Sequence, residues 1–139
     1  MDPEIDAKIR ASFDKQSLMT TLGARLVRVQ TGAVDIDAPI QQGSLQQQGF
    51  AHAGLTFAIG DSAAGYAALS LLPMDQEVLT TEMKINLLAP GAGDRLIARG
   101  RVIKPGRRVM VVQSDVFALK DGQERHIALL TGSMMPVPI

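Results

Sequence analysis

The stretch FAHAGLTFAIGDSAAGYAALSLLP, residues 50–73, decides the fold, and it holds a single carboxylate, Asp61, among small and apolar residues. Residues 53 to about 71 predict a helix that is apolar nearly all round, and Pro73 ends it. Such a helix must be enclosed by the rest of the fold. Because glycine weakens a helix interior, we expect Gly60 and Gly65 where a sheet or a partner backbone comes close.

The run is about long enough to cross a membrane, but its composition argues against a membrane span. Asp61 would lie near the bilayer centre at a cost of roughly 2.5–3.5 kcal/mol, and no cluster of Lys or Arg flanks the run. The N-terminal sequence MDPEIDAKIRASFDKQ lacks the basic start and apolar core of a signal peptide. We therefore expect a cytoplasmic protein.

The composition excludes several classes of function. The chain has 139 residues, enough for one domain, and its 14 basic and 14 acidic side chains cancel. No net charge steers it toward nucleic acid or an anionic membrane. It has no cysteine, and its two histidines, His52 and His126, lie far apart in the sequence. We expect no metal site and no disulfide.

The remaining periodicity predicts an α+β domain. Residues 1–20 form a helical segment with apolar Ile5, Ile9 and Phe13 on one face and Ala7 and Leu18 nearby, where Asp2 caps and Pro3 occupies the first turn. Residues 24–40 predict two strands around a turn at Thr31-Gly32, and residues 39–50 predict a loop. Four more strands follow the helix: Val78 to Leu88, Arg95 to Lys104, Val109 to Leu119 and Arg125 to Met135. An antiparallel sheet of about six strands with one long helix on its face fits this order.

Asp61 is the first candidate for chemistry. A lone aspartate in a helix commonly faces solvent, but the residues one turn away, including Phe57, Ala64 and Gly65, are apolar or tiny. A half-buried carboxylate has a raised pKa, which suits a general base.

The start of the same helix, His52-Ala53-Gly54, is the second candidate. The first backbone N–H groups of a helix have no intrahelical partner and suit a developing oxyanion. The sequence is equally consistent with a plain helix start in which His52 is a polar cap.

Three further groups are weaker candidates. Gln46, Gln47 and Gln48 could hold a water or polarise a carbonyl, or simply be solvated. The turn Lys104-Pro105-Gly106-Arg107-Arg108 could bind phosphates, or be a solvated hairpin turn. The strand after the helix carries a polar set that could line a site: Thr80, Thr81, Glu82, Lys84 and Asn86.

Together these elements resemble the PaaI-type branch of the hot-dog-fold acyl-CoA thioesterases, over about residues 12–135. That branch has HGG at the start of its central helix, an Asp nine residues after the His, an Asn or Gln six residues before it, a strand ending like INLLAP and a basic turn. This chain has Gln46, HAG at His52, Asp61, MKINLLAP and KPGRR at those places. The resemblance implies a helix wrapped by an antiparallel sheet, in a dimer or a dimer of dimers with sites at the subunit interface.

The resemblance also implies roles for individual residues. Asp61 matches the catalytic carboxylate, acting as general base or as nucleophile, and the Ala53 or Gly54 N–H matches the group that polarises the thioester oxygen. Gln46 matches the residue that orients water or the carbonyl, and Thr80 a hydroxyl that assists the water. The positions that match the CoA site are Leu87, Leu88, Ala89, Pro90, Lys104, Pro105, Gly106, Arg107 and Arg108. CoA enters as part of the substrate, and no cofactor is implied.

Two departures from the branch stand out: Ala53 replaces a glycine, and Gln46 has one methylene more than Asn. Ala serves as well as Gly unless the position needs a positive φ. Two other functions remain open, because fold does not fix function. They are a non-catalytic ligand-binding or regulatory hot-dog protein, and a hot-dog hydratase or dehydratase.

Overall fold

The computed structural model describes all residues, 1–139. It contains three α-helices and six strands. The elements in chain order are α1 (Pro3–Asp14), α2 (Ser17–Leu22), β1 (Arg25–Gln30), β2 (Ala33–Pro39), α3 (Ala53–Leu69), β3 (Gln76–Leu87), β4 (Arg95–Lys104), β5 (Met110–Lys120) and β6 (Gln123–Pro138). The strands form one antiparallel sheet in the order β1-β2-β4-β5-β6-β3, so β1 and β3 are its edges.

The helix α3 packs on one face of this sheet, here called the inner face, in the hot-dog arrangement that the resemblance implies. Ile59, Ala63 and Ala67 of α3 are fully buried in the main core cluster. The helix is therefore buried against the sheet as expected, but a stripe of it stays at least partly exposed: Gly54, Phe57, Asp61, Ser62 and Gly65.

The close approach of sheet and helix occurs at a glycine of the sheet. A Cβ on Gly100 of β4 would overlap the main chain of Ala63 and Ala64. On the helix, a Cβ at Gly60 would come 2.9 Å from a methyl group of Leu130, and one at Gly65 would make only ordinary contact with Met134. Within the chain the helix glycines therefore face side chains, and the expectation that sheet backbone approaches them was wrong.

The N-terminal segment forms two helices rather than one. Asp2 caps α1 by accepting a hydrogen bond from the Glu4 N–H at 2.9 Å, and Ile5, Ile9 and Phe13 are buried as expected. Gln16 is extended, so the helical phase breaks before α2. After the break Met19 is buried, whereas Leu18, noted as an apolar residue near this face, is exposed.

The other boundaries differ from the predicted ones by a few residues. The helix α3 ends at Leu69 rather than near residue 71, and β6 extends to Pro138. The loop before α3 contains a short 3₁₀ turn, Gln42–Ser44. None of the helices combines the length and apolarity that crossing a membrane requires.

The opposite face of the sheet, the outer face, carries ion pairs. Asp37 accepts hydrogen bonds from Arg25 and Arg95, including one of 2.9 Å from Arg25. Burial raises the pKa of Asp37, but the two guanidinium groups outweigh it and hold the pKa below its ordinary value. These pairs stabilise β1, β2 and β4 at their outer surface.

Candidate active site

The start of α3 leaves one backbone amide free. His52 is the N-cap, and its Nδ1 accepts a hydrogen bond from the Gly54 N–H at 2.7 Å, which places the ring proton of the neutral side chain on Nε2. The main-chain oxygen of His52 accepts from Leu55 and, more weakly, from Thr56. No hydrogen bond within the chain uses the Ala53 N–H. Of the two amides predicted to polarise a carbonyl, only that of Ala53 is available.

A cleft of about 480 Å³ opens in front of this amide, and we call it the helix-start cleft. One wall is the loop before α3 together with the first turn of the helix. The other is the segment that follows β3, together with Ile127 of β6. Its lining residues are Gln46, Gln47, Gln48, Phe50, Ala51, His52, Ala53, Thr56, Leu87, Leu88, Ala89, Pro90, Gly91 and Ile127.

The side chain of Gln46 is held in this cleft with its carbonyl oxygen occupied. Its Oε1 accepts from the N–H groups of Gln48 at 2.5 Å and of Phe50 at 3.2 Å. Its Nε2 has only a 3.5 Å contact with Gln48 Oε1. The part of Gln46 that remains available is therefore the amide NH₂, which can donate but cannot accept.

Asp61 lies in a separate cleft of about 210 Å³, here called the carboxylate cleft. It is partly buried, and its Oδ1 accepts a hydrogen bond from the Thr80 hydroxyl at 2.8 Å. Burial raises the pKa of Asp61, and the Thr80 bond lowers it by a smaller amount. The half-buried carboxylate expected from the sequence is confirmed.

The polar residues of β3 divide between the two faces of the sheet. Thr80 pairs with buried Met134 and points to the inner face, where it meets Asp61. Glu82, Lys84 and Asn86 pair with the partly exposed residues of β6 on the outer face. Thr81, at the irregularity in the register, donates to the Ser133 oxygen. Of this polar set, only Thr80 lines the carboxylate cleft.

The predicted CoA-binding residues form two groups, which lie at opposite ends of α3. Leu87, Leu88, Ala89 and Pro90 line the helix-start cleft. The turn between β4 and β5 lies at the other end of α3, where Pro105, Gly106 and Arg107 line a cleft of about 450 Å³ with Leu71, Leu72, Pro73 and Gln76. A single chain does not bring the two groups together.

Two features of the site escaped the sequence analysis. Thr56, one turn into α3, lines the helix-start cleft. In the carboxylate cleft, the Tyr66 hydroxyl accepts from Gln16 at 2.7 Å and lies 3.1 Å from the Ser12 hydroxyl. Neither α1 nor the following linker carries a motif that points to this cleft. No group of three or more His, Cys, Asp or Glu residues is placed to hold a metal ion.

Comparison with known proteins identifies the class. The profile of the thioesterase superfamily matches residues 48–124, more than half of the chain. The chain therefore belongs to the thioesterase superfamily, a class of hydrolases that cleave thioesters.

Individual relatives agree with this assignment. A thioesterase family protein from Silicibacter pomeroyi has a crystal structure that matches with a TM-score of 0.95 and 41% identity, over 97% of this chain and 99% of that one. A curated relative from Saccharolobus solfataricus, an esterase by name, is 29% identical over 103 residues, 73% of this chain and 71% of its own. The PaaI protein of E. coli, from the phenylacetic acid degradation operon, shares the fold at a TM-score of 0.85 and 22% identity, over 96% of this chain and 93% of that one. The resemblance to PaaI-like hot-dog thioesterases is thereby confirmed.

Proposed function

We propose that the protein hydrolyses an acyl-CoA thioester to a free acid and CoA, in sites that each combine residues of two chains. Asp61 of one chain acts as general base on water or as nucleophile. The Ala53 N–H and the Gln46 amide of the other chain hold the thioester oxygen. The observation that carries the proposal is the separation of these groups into two clefts within one chain.

The separation along the helix supports two chains per site. Asp61 follows Ala53 by eight positions, which is about 12 Å along the axis at 1.5 Å per residue. A donor to the carbonyl oxygen and a base for the attacking water must both lie near hydrogen-bond distance of one reacting group. On one helix the two groups are too far apart.

The edge strand β3 offers the way to join the two halves. It is 12 residues long and pairs with β6 on one side only, so its other edge is free. Free edges of this length pair readily with another chain. Antiparallel pairing of β3 with its copy would set the end of one strand, by the helix-start cleft, against the beginning of the other, by the carboxylate cleft.

The same pairing accounts for the two groups of predicted CoA-binding residues. Gln76, at the beginning of β3, lines the cleft of the basic turn. In a paired dimer that turn of one chain would approach the segment 87–90 of the other. Arg107 and Arg108 would then reach the phosphates of a CoA whose thioester lies at Ala53.

In this site the chemistry follows from charge and geometry. Negative charge develops on the thioester oxygen as a nucleophile adds, and the Ala53 N–H and Gln46 Nε2 donate to it. If Asp61 is the base, it takes a proton from the attacking water; if it is the nucleophile, it forms an acyl-enzyme anhydride that water then cleaves. In both routes the CoA thiolate leaves and is protonated.

A complementation experiment tests the proposal. Asp61→Asn removes the base, and Ala53→Pro removes the free N–H. Proline is favourable at the first helical position, the residue before it is already extended (His52 φ −65°, ψ 142°), and no hydrogen bond is lost. Each pure variant should release almost no thiol from a panel of acyl-CoAs, whereas mixed dimers regain one intact site of two.

Failure of the mixed dimers to regain activity would place all catalytic groups in one chain. If the wild-type protein binds acyl-CoA but releases no thiol, the non-catalytic alternative replaces the proposed one. Addition of water to an enoyl-CoA would instead identify a hydratase.

A further inference from the structure

Thr56 places a buried hydroxyl beside the helix-start cleft, without a partner in the chain. The residue is 2% exposed and lines the cleft. No side-chain hydrogen bond of the chain involves its hydroxyl, and no side-chain oxygen sealed from solvent is left without a partner. The hydroxyl therefore opens into the cleft. An enclosed hydroxyl with no partner is a group that a ligand atom can satisfy.

The residues that line the cleft determine which part of a substrate the Thr56 hydroxyl meets. Ala51 and Ile127, both buried, give the floor of the cleft an apolar character. The exposed side of the cleft is formed by Gln47, Gln48, Leu87 and Leu88. A substrate would extend its large polar CoA arm toward that open side and its acyl group toward the buried side. Thr56 therefore faces the acyl group.

Its position along the helix specifies which acyl atom it meets. Thr56 follows Ala53 by three residues, so the two lie on the same face of α3, about 4.5 Å apart along the axis. The Ala53 N–H points away from the helix, toward the thioester oxygen. The Ala53 N–H and the Gln46 Nε2 already donate to that oxygen in the proposed site, so the Thr56 hydroxyl is left for another group of the substrate. It reaches a second oxygen farther along the acyl chain.

We propose that Thr56 selects acyl thioesters with an oxygen on the third acyl carbon, that is, 3-hydroxyacyl or 3-oxoacyl groups. The inference rests on the proposed function, because it takes the position of the thioester from it. A threonine hydroxyl both donates and accepts, so it serves either kind of oxygen. A site that hydrogen-bonds a substrate group discriminates against analogues that lack it, because its own polar group is then left unpaired.

The test compares 3-hydroxybutyryl-CoA with butyryl-CoA, and 3-hydroxyoctanoyl-CoA with octanoyl-CoA. The readout is the ratio of kcat/KM for each pair. We expect the wild type to favour the hydroxylated member, and Thr56→Val, which keeps the shape but removes the hydroxyl, to lower the ratio about tenfold. Thr56→Ser should restore the preference. Thr131→Val on the outer face is the matched control and should keep the wild-type ratio.

The outcomes separate this inference from the proposed function. Hydrolysis of both members at equal efficiency by the wild type, or an unchanged ratio in Thr56→Val, overturns the role of Thr56 and leaves the thioesterase function standing. Release of no thiol from any acyl-CoA rejects the function and the inference together. If Thr56→Val does not fold, Thr56→Ala and Thr56→Ser supply the same comparison.

Discussion

The Thr80 hydroxyl donates a 2.8 Å hydrogen bond to Asp61, and this bond ties the edge strand β3 to the middle of α3. It joins the one inward-pointing hydroxyl of the polar β3 segment to the one carboxylate of the central helix. Two effects therefore act on Asp61 in opposite directions: burial raises its pKa and the hydroxyl lowers it.

Removal of the Thr80 hydroxyl should move the pH dependence of hydrolysis. The bond stabilises the charged carboxylate, so Thr80→Val raises the pKa of Asp61 further. Because Asp61 must be ionised to act, the acidic limb of the kcat/KM profile shifts to higher pH in the variant. A pH–rate series on one acyl-CoA measures the shift. A shift to lower pH would show that Asp61 does not control this limb.

Asp61→Asn should lose activity without losing stability. Because burial raises the pKa of Asp61, the folded chain holds that proton more tightly than the unfolded chain. The free energy of unfolding therefore falls as pH rises from the ordinary Asp pKa of about 3.9 toward the folded value. At neutral pH the charged group weakens the fold, so the variant should melt at the same or a higher temperature, with the difference shrinking in acid.

Asp37→Asn is the control, because its effect on stability should depend on pH in the opposite direction to that of Asp61→Asn. The folded-state pKa of Asp37 lies below its ordinary value, so its charge adds stability at neutral pH, and this stability is lost as pH falls through the folded pKa. The variant should melt lower than the wild type at pH 7 and approach it in acid. If the melting temperatures of the two variants depended on pH in the same way, the pKa directions assigned to Asp61 and Asp37 would be wrong.

Gln46→Glu distinguishes the role of the Gln46 carbonyl oxygen, which holds the loop, from that of its NH₂ group, which donates to the substrate. A carboxylate still accepts from the Gln48 and Phe50 N–H groups, so the loop should keep its shape. It cannot donate to the thioester oxygen, and its charge opposes the developing oxyanion. We expect kcat to fall by about 10²-fold or more with little change in melting temperature. Wild-type turnover would limit Gln46 to a structural role.

Replacing Arg107 and Arg108 with alanine should raise KM more than it lowers kcat, because phosphate contacts are made equally in the ground and transition states. The double variant Lys120→Ala with Arg125→Ala is the comparison, since these two cations lie at the other end of β5 from the basic turn. An unchanged KM in the first variant and a raised KM in the second would move the phosphates to the β5–β6 hairpin.

Gly100→Ala should destabilise the fold by about 1–3 kcal/mol or prevent folding, because the new methyl group would overlap the main chain of α3. Gly43→Ala is the matched control, since a Cβ there has no neighbour within 4 Å. Denaturant unfolding measures both. Equal stability of the two variants would refute the close approach of β4 to α3.

The sequence predicted the fold well because its strongest signals were local. The apolar run ended by Pro73 and the strands separated by glycine-containing turns are patterns that do not depend on distant contacts. The break at Gln16 was missed because Ile5, Ile9 and Phe13 continue a helical rhythm up to it. The role of Gly100 was missed because only the packed sheet shows which glycine meets the helix.

The site was predicted less completely because much of it depends on which partners the side chains find. The choice between the Ala53 and Gly54 amides required the position of the His52 ring. The available group of Gln46 could be identified only once its oxygen was seen to be occupied. Thr56 is one threonine in an apolar run, and no pattern distinguishes a threonine that packs from one that opens into a cleft.

The free edge of β3 has a consequence for how the protein behaves in a mixture. If each site needs two chains, specific activity falls on dilution as the dimers separate, and the monomer is inactive however well it folds. A cell that makes both normal chains and chains lacking Asp61 would lose activity only in proportion to the defective share, because a mixed dimer keeps one working site of two. Each normal chain in a mixed dimer supplies its carboxylate to one site. The other site, which contains its own Ala53 amide, has no carboxylate because the partner chain lacks Asp61.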